Sequence, residues 1–213
     1  MSLVERSTTS EATVVSPFAN AIPEILVKIF NYTICSPHNY YEIASYRNIV
    51  TQPPWPFLFV CKHWRRVVLS SPTLWSTVVL LTRSTQINPS DGANGLSLYH
   101  SRVLDIHFRR SGDVPLTLVL VLTLSRTELK STWERLITSR HRWRDVLINF
   151  MILDHDTPMD SSKCILRLCD MPKLESLSAW FVYEEDVTES LLGIELGFCP
   201  NLRQIKLSWR RHS

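Results

Sequence analysis

The sequence is poor in glycine. Only 5 of its 213 residues are Gly, where average usage of about 7% would give about fifteen. Loops that cradle phosphate on successive glycines are correspondingly scarce. The chain carries no G-x-G-x-x-G fingerprint and no P-loop, and it also lacks G-x-S-x-G and H-E-x-x-H. A dominant charge is missing too. The 23 basic and 20 acidic residues leave a formal net charge of +3, too small to imply a nucleic-acid partner without local clustering. No stretch approaches the roughly eighteen uninterrupted apolar residues of a membrane span. Met1–Asn20 is polar, carries Glu5 and Glu11, and lacks the basic start and apolar run of a secretory signal. The five cysteines (Cys35, Cys61, Cys164, Cys169, Cys199) are odd in number and scattered. They form no disulfide framework, which predicts a cytoplasmic or nuclear protein.

What is present is a chain that is 45% hydrophobic, with 7 tryptophans and 12 prolines. That is ample for a core, so bulk disorder is excluded and only residues 1–19 are expected to form a disordered tail. Ile22, Ile25, Leu26, Ile29 and Phe30 recur at helical spacing behind Pro23, a good first-turn residue, and Glu24, suited to the positive end of the helix dipole. They predict a short helix ending near Cys35. Ser36–Pro56 contains Pro37 and Pro53-Pro54-Trp55-Pro56, which forbid a continuous helix. It predicts an ordered loop with at most one helical turn near Tyr41–Arg47. Phe57–Leu69 predicts a second helix with Phe57, Val60, Cys61, Trp64 and Val68 on one face. Ser70-Ser71-Pro72 end it and begin a short turn bearing Leu74 and Trp75.

Beyond this, strand and helix patterns alternate. Strands are expected at Thr77–Leu81, Pro115–Thr123, Arg144–Met151, Lys173–Phe181 and Leu202–Trp209. Helices are expected from Leu96 to a stop at Ser111-Gly112, from a capping box at Ser125–Glu128 through Ile137, at Met159–Leu168, and at Val187–Phe198. Apolar pairs recur at Leu118/Leu120, Val146/Ile148, Leu177/Ala179 and Ile205/Leu207, at intervals of 28, 31 and 28 residues. Met171-Pro172-Lys173-Leu174-Glu175-Ser176-Leu177 and Cys199-Pro200-Asn201-Leu202-Arg203-Gln204-Ile205 share one pattern, the L-x-x-L-x-L core of a leucine-rich repeat. The Asn/Cys position of that motif holds Met151, Val182 and Arg210, so the asparagine ladder is missing. The expected fold class is α/β: an N-terminal three-helix module over residues 20–76, with its loop at 36–56, then a short, irregular leucine-rich-repeat-like solenoid with parallel strands over 77–213. Each repeat would be one strand plus one helix. No capping repeat follows Trp209, which predicts a truncated chain or an end covered by a partner or by self-association.

In order along the chain, Ile22-Pro23 with Ile25-Leu26 and Ile29-Phe30, then Val60-Cys61-Lys62-His63-Trp64-Arg65, then Ser71-Pro72-Thr73-Leu74-Trp75, resemble an F-box. The family pattern is L-P-x-E-I-L-x-x-I-F, V-C-x-x-W-R and P-x-L-W. Arg110-Ser111-Gly112 with Pro115-Leu116, and His141-Arg142-Trp143 before a strand, resemble the C-terminal region of the large fungal (mushroom-type) F-box family. Two features depart from the pattern: Ile22 replaces Leu, and Ser36–Pro56 replaces a short connection.

The resemblance implies a substrate receptor of a cullin–RING ubiquitin ligase of the SCF type. Such a receptor is not an enzyme and holds no cofactor or metal. Its F-box docks on a Skp-type adaptor, and through it a cullin, while the repeat region binds a target protein. Carried over residue by residue, the adaptor contacts are Ile22, Pro23, Ile25, Leu26, Ile29, Val60, Cys61, Trp64 and Trp75. The alternative is a non-catalytic repeat scaffold whose F-box does not engage the adaptor. Physical reasoning points to a docking module as well. About fifty residues of helix cannot bury so many large apolar groups internally, and tryptophans are favoured interface anchors. From Ile43 to Ser90 there are five bases (Arg47, Lys62, Arg65, Arg66, Arg83) and no acid, a bias that complements an acidic partner.

Other clusters carry less. Cys164 and Cys169 lack a second ligand pair for zinc, and His100 with His107 lack a third ligand. Asp154-His155-Asp156 with Asp160 precede Thr157-Pro158 and fit a solvated turn better than a cation site or a hydrolase. Arg140-His141-Arg142 with Arg144, and Arg210-Arg211, flank Trp143 and Trp209. A nucleic-acid surface is one reading of these groups. Core tryptophans edged by solvated arginines fit the low total charge better.

Overall fold

The computed structural model describes Phe18 and residues 21–34, 54–81, 94–124, 133–152, 164–183 and 192–211. The first helix, α1 (Pro23–Thr33), starts on its proline. The Ile22 carbonyl accepts from the N–H groups of Ile25 (3.0 Å) and Leu26 (3.1 Å). Leu26 and Phe30, one turn apart, point into the core. The continuous helix expected over Phe57–Leu69 is instead two pieces: a 3-10 helix at Trp55–Phe59 and α2 at Lys62–Ser70. Cys61 makes the break. Its backbone is extended (φ −159°, ψ 170°) and its Sγ accepts the Trp64 N–H at 3.4 Å, so it caps α2 from outside. A second 3-10 turn, Pro72–Trp75, follows. The Trp75 indole N–H donates to the Val68 carbonyl at 2.8 Å.

Leu26, Phe30, Val67, Val68, Leu74 and Trp75 form the core of this module. Phe57 stacks on Phe30 with centroids 4.2 Å apart, and Trp55 meets Trp75 edge-on at 5.3 Å. The segments expected to hold the Tyr41–Arg47 turn, the Ser125–Glu128 capping box and the Asp154–Asp160 cluster lie outside the described residues.

The remaining chain gives α3 (Asn94–Arg110) and strands β1 (Thr77–Leu81), β2 (Leu116–Leu124), β3 (Trp143–Ile152), β4 (Cys164–Leu168), β5 (Ser176–Tyr183), β6 (Leu192–Leu196) and β7 (Gln204–Arg211). α3 ends where Gly112 takes φ +53°, a left-handed turn that glycine makes without a steric cost. Five strands form one parallel sheet in the order β1-β2-β3-β5-β7. The apolar pairs read from the sequence are successive rungs of it. Leu118 aligns with Val146, Val146 with Leu177, and Leu177 with Ile205; Leu120, Ile148, Ala179 and Leu207 align in the same way. All face one side, and Leu118, Leu120, Val146, Ile148, Leu177 and Ala179 are buried there with Trp143, Phe150 and Phe181. The two matching proline segments also fold alike. Leu174 N–H bonds the Met171 carbonyl and Leu202 N–H the Cys199 carbonyl, each at 3.2 Å.

Two segments expected to be helical form strands where they are described. Cys164–Leu168 within Met159–Leu168 and Leu192–Leu196 within Val187–Phe198 form β4 and β6, which pair in parallel as a second, two-stranded sheet. Their residue-by-residue parallel pairing shows this. Arg167 faces Glu195 across the pair, exposed and ion-paired at 2.9 Å, while the next residue, Leu168, is buried. Gly193 within β6 further disfavours a helix. Among the described residues the last units are therefore strand plus strand.

Candidate functional site

α1 has a wider apolar arc than its own module uses. At 100° per residue, Leu26 and Phe30 fall on the inward side, and Ile22, Ile25, Ile29 and Tyr32 form the adjacent stripe. That stripe is open: Ile22 is 64% exposed, Ile25 48%, Ile29 37% and Tyr32 91%. Pro23, between them at the helix start, is exposed as well. Isolated exposed apolar residues are ordinary on protein surfaces, but a contiguous stripe of four on one helix is a candidate interface.

The start of α2 lies beside this end of α1. The His63 Nε2–H donates to the Ala21 carbonyl at 2.8 Å, and the Trp64 indole N–H donates to the Phe18 carbonyl at 3.2 Å. Trp64 also packs edge-on against Phe30 at 4.8 Å. Val60, 56% exposed, and the half-buried Cys61 precede this junction. Thus Ile22, Pro23, Val60, Cys61 and Trp64 are gathered at the N-terminal ends of two neighbouring helices, and Ile25 and Ile29 extend the stripe along α1. The exposed bases Lys62, Arg65 and Arg66 belong to α2. Arg65 Nε donates to the Leu58 carbonyl at 2.9 Å, which fixes its stem over the preceding turn.

Two of the nine sequence-derived contact residues are displaced from this face. Leu26 is fully buried, and Trp75 is 1% exposed. Trp75 is held by its bond to Val68, by Trp55, by His107 at 5.4 Å and by the Arg110 guanidinium 5.1 Å over its ring. It is the pin between the helical module and the sheet, not an external anchor. Trp64 is half-buried and shared between core and surface. Conversely, sequence reasoning missed Tyr32, Phe59 (68% exposed) and Phe18 (51%). Tyr32 had a signal, since it continues the spacing of Ile22, Ile25 and Ile29. Phe18 had none, because it precedes the helix in a polar segment.

The other candidates resolve differently. His107 is buried, its Nδ1–H donating to the Trp75 carbonyl at 3.1 Å, and burial pushes its pKa down to about 4 against that bond. Trp143 is fully buried against Trp133. Arg142, expected to be solvated, is buried instead. Its guanidinium donates to the Val114 carbonyl (3.0 Å) and to Ser111 Oγ (2.6 Å). Burial lowers its pKa from the ordinary arginine value, and Asp113 opposes that shift. Within the basic group around Trp143, Arg142 is thus an internal strut, while His141 and Arg144 stay exposed. Cys169 is half-buried, and among the described residues no three His, Cys, Asp or Glu side chains converge on a metal position. No helix among them is long and apolar enough to cross a membrane. Comparison of the chain with protein-family models, with curated proteins and with solved structures found no match.

Proposed function

We propose that the chain is an F-box-type substrate receptor: its helical module docks on a Skp-type adaptor of an SCF-type ubiquitin ligase, and its repeat region holds a target protein. The observation that carries this reading is the open stripe of Ile22, Ile25, Ile29 and Tyr32 on a helix whose other apolar side already fills its own core. Three supports stand beside it. The ordered motifs from Ile22 to Trp75 resemble the F-box. Val60 and Trp64 lie at the same end of the module as Ile22. The α2 surface is basic, which speeds encounter with an acidic partner. In this reading the docking residues are Ile22, Pro23, Ile25, Ile29, Val60, Cys61 and Trp64, while Leu26 and Trp75 hold the module rigid beneath them. The parallel rungs of the sheet and the repeated proline turns support a degenerate leucine-rich-repeat stack as the target-binding part. The protein performs no chemistry of its own here; it positions a target for other subunits.

Co-purification with a purified Skp-type adaptor, followed by reconstitution with cullin, RING subunit and charged ubiquitin carrier, tests the proposal. Adaptor capture with ubiquitin transfer to the receptor or to a bound protein is expected. Capture without any transfer would refute the ligase role, and no capture would refute the docking reading and favour the scaffold alternative.

A further inference from the structure

The side of the five-stranded sheet turned away from the core holds a depression of about 350 Å³. One register row across it, Thr117–Asp145–Ser176–Gln204, is wholly polar. The next row ends in Ser178 and Lys206, and Trp180 lies one row further along β5. The two charges that line this depression are not equivalent. Asp145 is already engaged, its Oδ2 accepting from Arg144 Nε at 2.8 Å and from Thr117 Oγ1 at 3.3 Å. Lys206 makes neither an ion pair nor a hydrogen bond with any described residue. Among the described residues the depression therefore offers one ammonium without an ion-pair partner, flanked by the Ser176 and Ser178 hydroxyls and the Gln204 amide, all able to donate, with an aromatic wall nearby.

We propose that this depression is the target site and takes an extended acidic segment of the partner protein, with a carboxylate on Lys206 and an apolar side chain against Trp180. The spacing fits. Lys206 aligns with Ser178, and Trp180 is two residues along β5. Rises of ~3.3 Å per residue and strand separations of ~4.8 Å put the two anchor positions about 8 Å apart. Side chains two residues apart on an extended peptide are separated by nearly that distance. The hydroxyls and Gln204 then meet the peptide backbone, whose N–H and C=O groups need partners once water is displaced. A polynucleotide fits less well, since it needs several cations along its phosphates; among the described residues lining the depression Lys206 is the one cation, and Asp145, two strands away, is an anion. The proposal deepens the receptor reading and rests on it for its biological meaning, but peptide binding itself needs no adaptor.

The test is fluorescence anisotropy of the full chain with labelled octapeptide sets. One set carries Leu or Phe at one position, Glu two residues on, and Gly, Ser or Thr elsewhere; the matched set has Gln in place of Glu. The acidic set is expected to bind about tenfold tighter, and the gap should close as salt rises from about 50 to about 500 mM. Lys206→Glu should abolish the preference for the acidic set, and Trp180→Ala should weaken it about tenfold, with melting temperatures confirming that both variants fold. Equal binding of the two sets, no binding of either, or unchanged binding by Lys206→Glu would overturn the proposal. So would tighter binding of a single-stranded oligonucleotide than of the acidic set. Adaptor capture is scored on the same preparations. Capture without peptide binding overturns this inference alone, and peptide binding without capture overturns the docking reading alone.

Discussion

Gly197 lies so close to Cys169 that a Cβ in its place would meet the Cys169 Cα and Sγ at 3.0 Å. Its N–H bonds the Leu168 carbonyl at 2.9 Å, so the backbone cannot easily retreat. Gly197→Ala is expected to cost about 1–3 kcal/mol, read as a lower urea midpoint at unchanged slope. His107 makes stability depend on pH. Its folded pKa of about 4 lies below the unfolded 6.5. Between those values the unfolded chain binds the extra proton, so stability rises with pH and falls as pH drops from 6.5 towards 4. The full shift corresponds to about 3 kcal/mol. His107→Asn, which keeps a donor for the Trp75 carbonyl, should flatten that part of the curve when melts at pH 7, 5 and 4 are compared with the wild type. Trp75 marks where residue-level reading reached its limit. A large apolar residue in a short motif signals burial somewhere, but not whether the cover is a partner or, as here, Trp55 and His107.

Along α1 two neighbouring residues separate fold from docking. Leu26 is fully buried and Ile25 is half exposed. Leu26→Ala should cost about 2–5 kcal/mol. Ile25→Glu should change stability by no more than about 0.5 kcal/mol while removing adaptor binding; paired denaturation and capture assays read both. Periodicity located this helix because 3.6-residue spacing survives in any amphipathic segment. It could not split the apolar arc into inward and outward halves, since both halves are equally greasy. The strands β1, β2, β3, β5 and β7 were legible for a similar reason: long β-branched and leucine-rich runs sit between turn residues. β4 and β6 were not. Each has five residues, too few for alternation to stand out from helical spacing, and their pairing with each other is a contact between residues 28 positions apart. Cys61 was misplaced on a helix face because cysteine is not an expected cap, and only the extended backbone at that residue reveals the break.

At the scale of the molecule, two cores meet at one joint. The helical core and the sheet core are bridged by Trp75, His107 and Ile106, and the Thr117 N–H reaches across to the Ser76 carbonyl at 2.9 Å. Such a joint holds the exposed α1 stripe in a fixed relation to the sheet, as the proposed receptor role requires. At the far end, β7 leaves Ile205 44% and Leu207 37% exposed on the side that is buried in the earlier strands. The central claim is that the α1 stripe is a docking surface for a Skp-type adaptor. The most direct measurement is titration calorimetry of the full chain with that adaptor, comparing the wild type, the double variant Ile25→Glu/Ile29→Glu, and Ile205→Glu as a control at the other end. The account predicts binding by the wild type and by Ile205→Glu, and at least about a hundredfold loss in the double variant at unchanged melting temperature. No heat of binding with the wild type, or equal affinity in the double variant, would contradict it.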